Sequence, residues 1–529
     1  MRTRYDAIVV GGGHNGLVCG SYLAKAGLDV LVLERRPVIG GAAVSEETVP
    51  GFTFSTFSYV MSLLHPKIIR ELELPRFGLE VLPASDLFCP VDEREFVVLS
   101  DDVKRTARGF ARFSRRDAEA YPEFARWLEQ SARLVRRLLF ETPPDVTRRD
   151  LRGLARTLAF LWRHREIGRD FYRLIDLFTM SAADLLDRWF ESPVIKAVFA
   201  YYASIGTFAG PRSPGSAYVI LHHVMGEHEG AAGWGFVRGG MGTISRAIAA
   251  SGRRFGLQIV TEAPVARIRI RNGRATGVVL EDGREIAAGI VAANLHAKSL
   301  YERLVGAEHL PAGVTAAIRN FRTRSTAFKI NLACEVPPRY AAFDAARAGF
   351  PDPAYVHIGP DLDWLERAFD DAKYGTYSKR PFITSVVPTM RDDSIAPPGK
   401  HVVHLFGGHA PYELRNARWE EEKERFAKTV LETLDLFAPG FSSAVIDMQV
   451  LTPPDIEEIL DLPGGHIFHG ELAPDQLFFK RPIPGYADYR TPIRGLYLCG
   501  SSAHPGGGVS GIPGHNAARE ILRDRRRGR

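Results

Sequence analysis

An α/β fold built on a parallel sheet is the architecture this sequence predicts, and three stretches carry the expectation. The first runs from Tyr5 to Glu34. Tyr5–Val10 is a short β-branched run that enters Gly11-Gly12-Gly13-His14-Asn15-Gly16, a match to G-x-G-x-x-G. An amphipathic helical pattern follows to about Ala26, and Asp29–Leu33 reads as a second strand ending in Glu34. The second stretch opens at Phe236–Gly242, continues as a helical pattern over 243–250, and then gives short strands at Gln258–Val260, Val265–Ile270, Ala275–Leu280 and Glu285–Ala292. The turn pairs Asn272-Gly273 and Asp282-Gly283 divide the last three into a β-meander. The third is Gly495–Cys499, a strand that leads into a glycine loop and a last helix from about Ser510 to Leu522.

Each part of the first stretch has a physical reason. Gly11 allows a tight turn, Gly13 lets the backbone approach a pyrophosphate, and Gly16 lets helix and strand pack closely. The helix N-terminus favours phosphate charge. Glu34 follows Gly16 by 18 positions, where a carboxylate accepts both hydroxyls of an adenosine ribose. Together these parts read as a dinucleotide-binding unit. His14 and Asn15 lie inside its loop.

The following residues, ERRPVIGGAA, favour FAD over NAD. The pair Gly40-Gly41 comes six positions after Glu34 and is followed by Ala42. This spacing resembles the extended fingerprint of the glutathione-reductase-like FAD superfamily. The resemblance implies that the pair packs beside the ribityl and pyrophosphate of non-covalent FAD, and that the strand carrying Val265 meets the adenine through its backbone. Arg35 and Arg36 lie along the adenosine and phosphates, or are surface charges.

Length and composition bound the remainder. At 529 residues the chain exceeds one ordinary core. Its 45% hydrophobic and 25% charged residues are those of a globular protein. No apolar run reaches the roughly 18–20 residues of a membrane span, and the N-terminal run is too short for a secretory signal. A cytoplasmic protein is expected. The four cysteines are scattered without C-x-x-C, so neither a redox disulfide nor a metal site is expected. Nothing matches a nucleic-acid-binding pattern. Oligomeric state is left open.

Charge is uneven. Residues 104–173 hold 18 Lys/Arg against 9 Asp/Glu. Leu151, Leu154, Leu158 and Leu161 fall at helical spacing among arginines, as do Phe171, Leu174 and Phe178. Two readings stand: an apolar helix face covering a core under a solvated arginine face, or a basic amphipathic helix on an anionic membrane surface.

The stretches IVVGGGHNGLVCGSYLAKAG, LERRPVIGGAA and FHGELAPDQLFFKRPIPGYADYRTPIRGLYLCGSSAHPGGGVSGIPGHNAA resemble the phytoene desaturase-related flavoproteins. Within them the similarity is nearest to the pyridine nucleotide-disulfide oxidoreductase domain-containing protein 2 group and the flavin-type β-carotene ketolases. The resemblance implies a Rossmann-like FAD-binding domain of the glutathione-reductase type, assembled from 1–80, 236–300 and 487–529. It also implies a mixed α+β substrate domain from 81–235 and 301–486, its sheet in 320–490 and its helical subdomain basic. The expected activity is hydride transfer from a hydrophobic, isoprenoid or carotenoid-like substrate to the flavin, with O2 or a quinone as electron acceptor. The alternatives are an amine-oxidase-like activity on a smaller polar substrate and a non-enzymatic flavoprotein.

The loop CGSSAHPGGGVSG is then the third FAD contact, through Gly500, Ser501, Gly508, Val509 and Ser510. Many members of the wider superfamily carry Asp where this chain has Ser501, and a serine hydroxyl makes the ribityl bond without charge. Candidate catalytic residues are His504 in this loop, Lys329 on a probable strand, and Arg238 before a glycine pair. Lysines near the flavin occur in related amine oxidases. Gln476, Arg481 and His515 are further candidates. Large aromatics such as Phe57, Tyr59 and Tyr201 are each expected in the core.

Overall fold

The computed structural model describes residues 2–148, 150–226 and 234–528. Two seven-stranded sheets organise it. In the first, Arg4–Val10 is central, parallel to Val30–Leu33 on one side and to Glu285–Ala293 on the other. Gln258–Val260 adds a parallel strand beyond Val30–Leu33. All four residues of Val30–Leu33 are buried. An unbroken aliphatic run is what a parallel strand covered on both faces requires.

The strand Glu285–Ala293 divides its outer edge. Its first residues pair antiparallel with Gly277–Val279, and Val291–Ala293 pair parallel with Leu496–Leu498. The meander and the last strand therefore join the sheet that begins at Arg4. The expected turns close the meander, with Asn272 and Gly273 at φ of 50° and 69° and Gly283 at 84°. Helices His14–Lys25, Gly242–Arg254 and Ile512–Arg526 pack together on this sheet. A Cβ on Gly514 would stand 2.1 Å from the Asn15 carbonyl oxygen, so only glycine lets the last helix lie this close to the first.

The last helix starts at Ile512, two residues later than expected near Ser510. Ser510 instead closes a turn. Its N–H donates to the Gly508 carbonyl, its hydroxyl accepts from the Ile512 N–H, and Gly511 takes φ of 73°.

The second sheet has the strand order Val445–Leu451, Ala327–Cys334, His401–Gly408, Phe382–Val386, Tyr355–Ile358, Leu87–Pro90, Phe96–Leu99. The last two strands come from residues outside the expected 320–490. Their apolar runs, LFCP and FVVL, are short and sit directly before a long helical pattern that masks them. Ala327–Cys334 is buried along its whole length.

Helices between Val103 and Val224 form the third layer around an aromatic core that includes Phe110, Phe124, Phe190 and Phe199. The long helix Arg115–Leu139 ends against the C-terminal segment. Its Leu138 carbonyl faces His504 Nε2 at 2.9 Å, and Leu139 O accepts from Asn516 Nδ2 at 2.9 Å. The helix Leu151–Arg163 forms as its spacing predicts, but the leucine face does not cover a core. Leu151, Leu154, Leu158 and Leu161 are 86%, 54%, 56% and 57% exposed. The inward face consists of Gly153, Thr157, Phe160 and His164. Of the aromatics expected in the core, Tyr201 and Phe57 are buried, whereas Tyr59 is half-buried.

Candidate active site

The first glycine loop is built by contacts that exclude side chains. Gly11 has φ of 99°, and a Cβ there would lie 2.7 Å from the Asn294 carbonyl oxygen. A Cβ on Gly16 would lie 2.2 Å from the Gly11 carbonyl oxygen, the tight helix–strand approach expected of this position. Gly13 caps the His14–Lys25 helix with no side-chain hydrogen bond, and the first turn holds no acid. That leaves an electropositive helix end suited to a pyrophosphate.

Glu34 holds the loop from the end of the second strand. Its Oε2 accepts from the Gly12 N–H at 2.7 Å and its Oε1 from the Arg36 N–H at 2.9 Å. Gly40 donates to the Gly12 carbonyl at 2.9 Å, and a Cβ on Gly41 would come within 3.2 Å of Gly13 Cα. Arg35 bonds the carbonyls of Glu458 and Ile459 at 3.0 and 2.6 Å, and Arg36 pairs with Glu46 at 2.6 Å.

Two cavities adjoin at this loop. The first is lined by Gly11, Gly13, His14, Asn15, Glu34, Arg35, Arg36, Gly41, Ala42, Val265 and Ser501, all expected site residues. The second lies toward the second sheet and is lined by Phe57, Tyr59, Lys329, Phe406, Phe468 and Val509, among others. They share His14, Ala42, Leu460, Leu462, His469 and Ser501. Gly508 lines the second. Gly16, Gly40, Gly500 and Ser510 line neither. They shape the backbone instead: a Cβ on Gly500 would sit 2.9 Å from Asn294 Oδ1.

These residues fit FAD. The glycine cradle, the uncapped helix end and Glu34 lie along one cavity. Asn15 Oδ1 is buried there without a hydrogen-bond partner. Asn15 Nδ2 donates to Ser501 Oγ at 3.0 Å, and His14 Nε2 lies 3.2 Å from the Gly508 carbonyl. The loops at the two ends of the chain thus close on each other beside the cavity.

The catalytic candidates separate. Lys329 is in the second cavity. Its Nζ donates to the Ser55 carbonyl at 2.9 Å and to Asn331 Oδ1, and burial holds the amine well below its usual pKa of 10.5. His504 lines neither cavity. It packs edge-on to Phe478, and its Nε2 is engaged with the Leu138 carbonyl. It therefore joins a helix end to the glycine loop and is not set to relay a proton. Arg238 is also displaced from the site. It is 42% exposed and pairs with Glu80 at 2.7 Å. His515 is held against Asn516, Tyr22 and Phe140.

Arg481 lines neither cavity, but it holds Ser501 and His469, which line both. Fully enclosed, it has no carboxylate partner among the described residues, and it donates to the carbonyls of Ser501, Gln476, Phe468 and His469. Burial lowers it to about 10, so it remains charged at neutral pH. The histidines around the cavities are held neutral, because burial disfavours the imidazolium. His14 and His223 fall to about 4 and His469 to about 3, with His222 and His296 well below 6.5.

Asn294, His296 and His469 line the first cavity without having been singled out in the sequence. Asn294 lies two residues beyond the predicted strand Glu285–Ala292 and directly follows the observed one, and its Nδ2 donates to the Gly11 carbonyl at 3.2 Å. Ligands in open α/β sheets bind beyond the C-terminal ends of strands. Applied to AANLHA, that rule finds both Asn294 and His296.

The model of the family described as flavin containing amine oxidoreductase matches residues 16–522. The mouse pyridine nucleotide-disulfide oxidoreductase domain-containing protein 2 is 40% identical over 547 residues, covering 99% of this chain and 94% of that protein. The lycopene-forming phytoene desaturase of Pantoea ananas is 24% identical over 521 residues, covering 96% of each. A solved putrescine oxidase variant shares the fold with a TM-score of 0.63 at 16% identity, covering 98% of this chain and 99% of that one. With a cavity that fits FAD and a family match over nearly its whole length, this chain is an FAD-dependent oxidoreductase and belongs to the flavin-containing amine oxidoreductase family.

Proposed function

We propose that this flavoprotein dehydrogenates a hydrophobic, isoprenoid or carotenoid-like substrate in the second cavity. The observation that carries the reading is the lining of that chamber. Phe57, Tyr59, Leu63, Ile205, Phe406 and Phe468 supply apolar surface, and no carboxylate lines it among the described residues. A cationic amine entering there would find no carboxylate to bind, only neutral histidines and an enclosed arginine nearby. That disfavours the amine-oxidase alternative. A third cavity meets the chamber at Ser62, His223 and Trp234 and adds length for an extended substrate. The resemblance to phytoene desaturase adds support from sequence.

In this reading residues 1–80, 236–300 and 487–529 hold the cofactor, and 81–235 with 301–486 hold the substrate. Glu34 binds the ribose, the His14–Lys25 helix end and Gly13 the pyrophosphate, and the Ser501–Val509 loop the flavin end. Bound FAD supplies the acceptor for a hydride. The aromatic walls orient the chain and exclude water. The second hydrogen leaves as a proton, and Lys329 Nζ, whose pKa burial lowers, takes it.

Anaerobic titration of the purified holoprotein tests the assignment. A micellar isoprenoid hydrocarbon is expected to bleach the flavin absorption and putrescine is not. Bleaching by putrescine with none by the hydrocarbon overturns it. Adding O2 or a quinone to the reduced protein then identifies the acceptor.

A further inference from the structure

We propose that residues 148–175 form a docking face for an anionic lipid bilayer surface. The helix Leu151–Arg163 presents Leu151, Leu154, Leu158, Leu161 and Trp162 to solvent, and Phe171, Tyr172 and Ile175 of the Phe171–Thr179 helix are likewise exposed, at 58%, 60% and 46%. Burial of large apolar side chains is worth about 1.5–3 kcal/mol each, so a helix that turns its leucines out and Gly153 and Thr157 inward is arranged for an outside partner. Phe160 fixes this orientation by packing on Phe478, with ring centroids 5.7 Å apart.

Charge selects the partner. The segment holds eight arginines against three carboxylates. Arg156 and Arg165 are exposed with no ion pair among the described residues, and Arg165 lies over Trp162 at 4.7 Å. Arg148 and Arg163 pair with Asp150 and Glu141 but remain 43% and 57% exposed. A second copy of this chain would set the same basic face against itself, whereas acidic headgroups complement it. At about 20 Å long, the helix is suited to lie in the headgroup plane, and no helix of the described residues is long and apolar enough to cross a membrane. The next helix, Phe171–Thr179, stacks Phe178 on Tyr218 at 4.8 Å. Tyr218 belongs to the Ala217–Val224 helix, whose His222 and His223 line the apolar chamber. Docking therefore places the chamber wall one helix from lipid, although the docking itself does not depend on the substrate reading.

Flotation of the holoprotein with two vesicle types tests this: phosphatidylcholine alone, and an equal mixture with phosphatidylglycerol. Binding is expected on the mixed vesicles, with a blue shift of Trp162 emission, and much less on the neutral ones. Leu154→Glu with Leu158→Glu, both at exposed positions, is expected to weaken binding on the order of a hundredfold or more, while flavin content and melting stay unchanged. Arg156→Gln with Arg165→Gln is expected to weaken it roughly thirtyfold. No binding to the mixed vesicles overturns the proposal, as does unaltered binding by the leucine variant. Light scattering that shows concentration-dependent self-association, lost in that variant, assigns the face to a second copy instead and equally overturns it.

Discussion

Arg481→Met probes the group that ties the glycine loop to the substrate chamber. The guanidinium donates from Nε and Nη2 to the Ser501 carbonyl at 3.3 and 3.0 Å, from Nη2 to His469 O at 3.2 Å and to Phe468 O, and from Nη1 to Gln476 O at 3.4 Å. Methionine fills much of the space and donates nothing, so four carbonyl oxygens lose a donor. Each buried acceptor left unmet costs about 1–3 kcal/mol. Removing an enclosed cation offsets part of that sum, which leaves a net loss of about 4 kcal/mol, the low end of the range for four unmet acceptors. At about 2.1 cal/mol/K of unfolding entropy per residue, a chain of this size unfolding as one unit would melt about 4 °C lower. Ser501 and His469 line both cavities, so FAD loading should fall as well. Melting followed by flavin fluorescence reads both effects. Arg481→Lys separates charge from geometry, since three N–H on one atom cannot match a planar fork; partial recovery is expected. An Arg481→Met protein with full flavin content and unshifted melting would refute the reasoning.

Glu34→Gln leaves one acceptor oxygen for the two N–H groups now held by the carboxylate. FAD affinity of the apoprotein, measured by fluorescence quenching, should weaken on the order of 5- to 100-fold; an unchanged affinity would remove Glu34 from the site. His504→Ala should lower melting by roughly 1 kcal/mol equivalent for one lost hydrogen bond while flavin reduction by substrate continues. Collapse of that reduction with FAD still bound would restore a proton role. His14, His223, His466 and His469 are held at about 4, 4, 4 and 3, below the unfolded value of about 6.5. Between these limits the unfolded chain binds protons that the folded chain does not. Stability is therefore full above about 6.5 and is lost as pH falls toward 4. Melting and flavin retention that stay flat from pH 7 to 5 would contradict this.

The glycine cradle was legible because its geometry is local. Gly11, Gly13, Gly16 and Glu34 act through backbone turns and one helix end, and their spacing alone places them. Ser501 became legible through its glycine neighbours, since a backbone passing close to a ligand leaves a run without side chains. The chamber was not legible in this way. Lys329 enters it from the second sheet, Phe406 from the adjacent strand and His223 from a helix. No sequence period records that meeting. His504 and Arg238 misled for the opposite reason: both sit beside glycines that do shape the site, yet their side chains point to Leu138 and Glu80. The leucines of 151–161 fixed the helix but not its direction, because a 3.6-residue stripe looks the same whether a core or an outside partner covers it.

Ser501 and the lining of the chamber then follow one electrostatic rule. Ser501 Oγ takes a hydrogen bond from Asn15 at 3.0 Å, and its carbonyl takes two from Arg481. An aspartate here would place a carboxylate beside the enclosed guanidinium and beside the chamber. The pair would partly neutralise, and the positive charge held behind Ser501 would weaken. With serine, Arg481 keeps an unpaired positive charge among carbonyls, while the neutral histidines add none at pH 7 and burial disfavours the charged form of Lys329. A reduced flavin gains negative charge, which this cation would stabilise if the Ser501 loop holds the flavin end. The arrangement also keeps the chamber without fixed anions to which a cationic substrate would bind. The serine is thus consistent with a flavoprotein that takes hydrogen from an uncharged molecule.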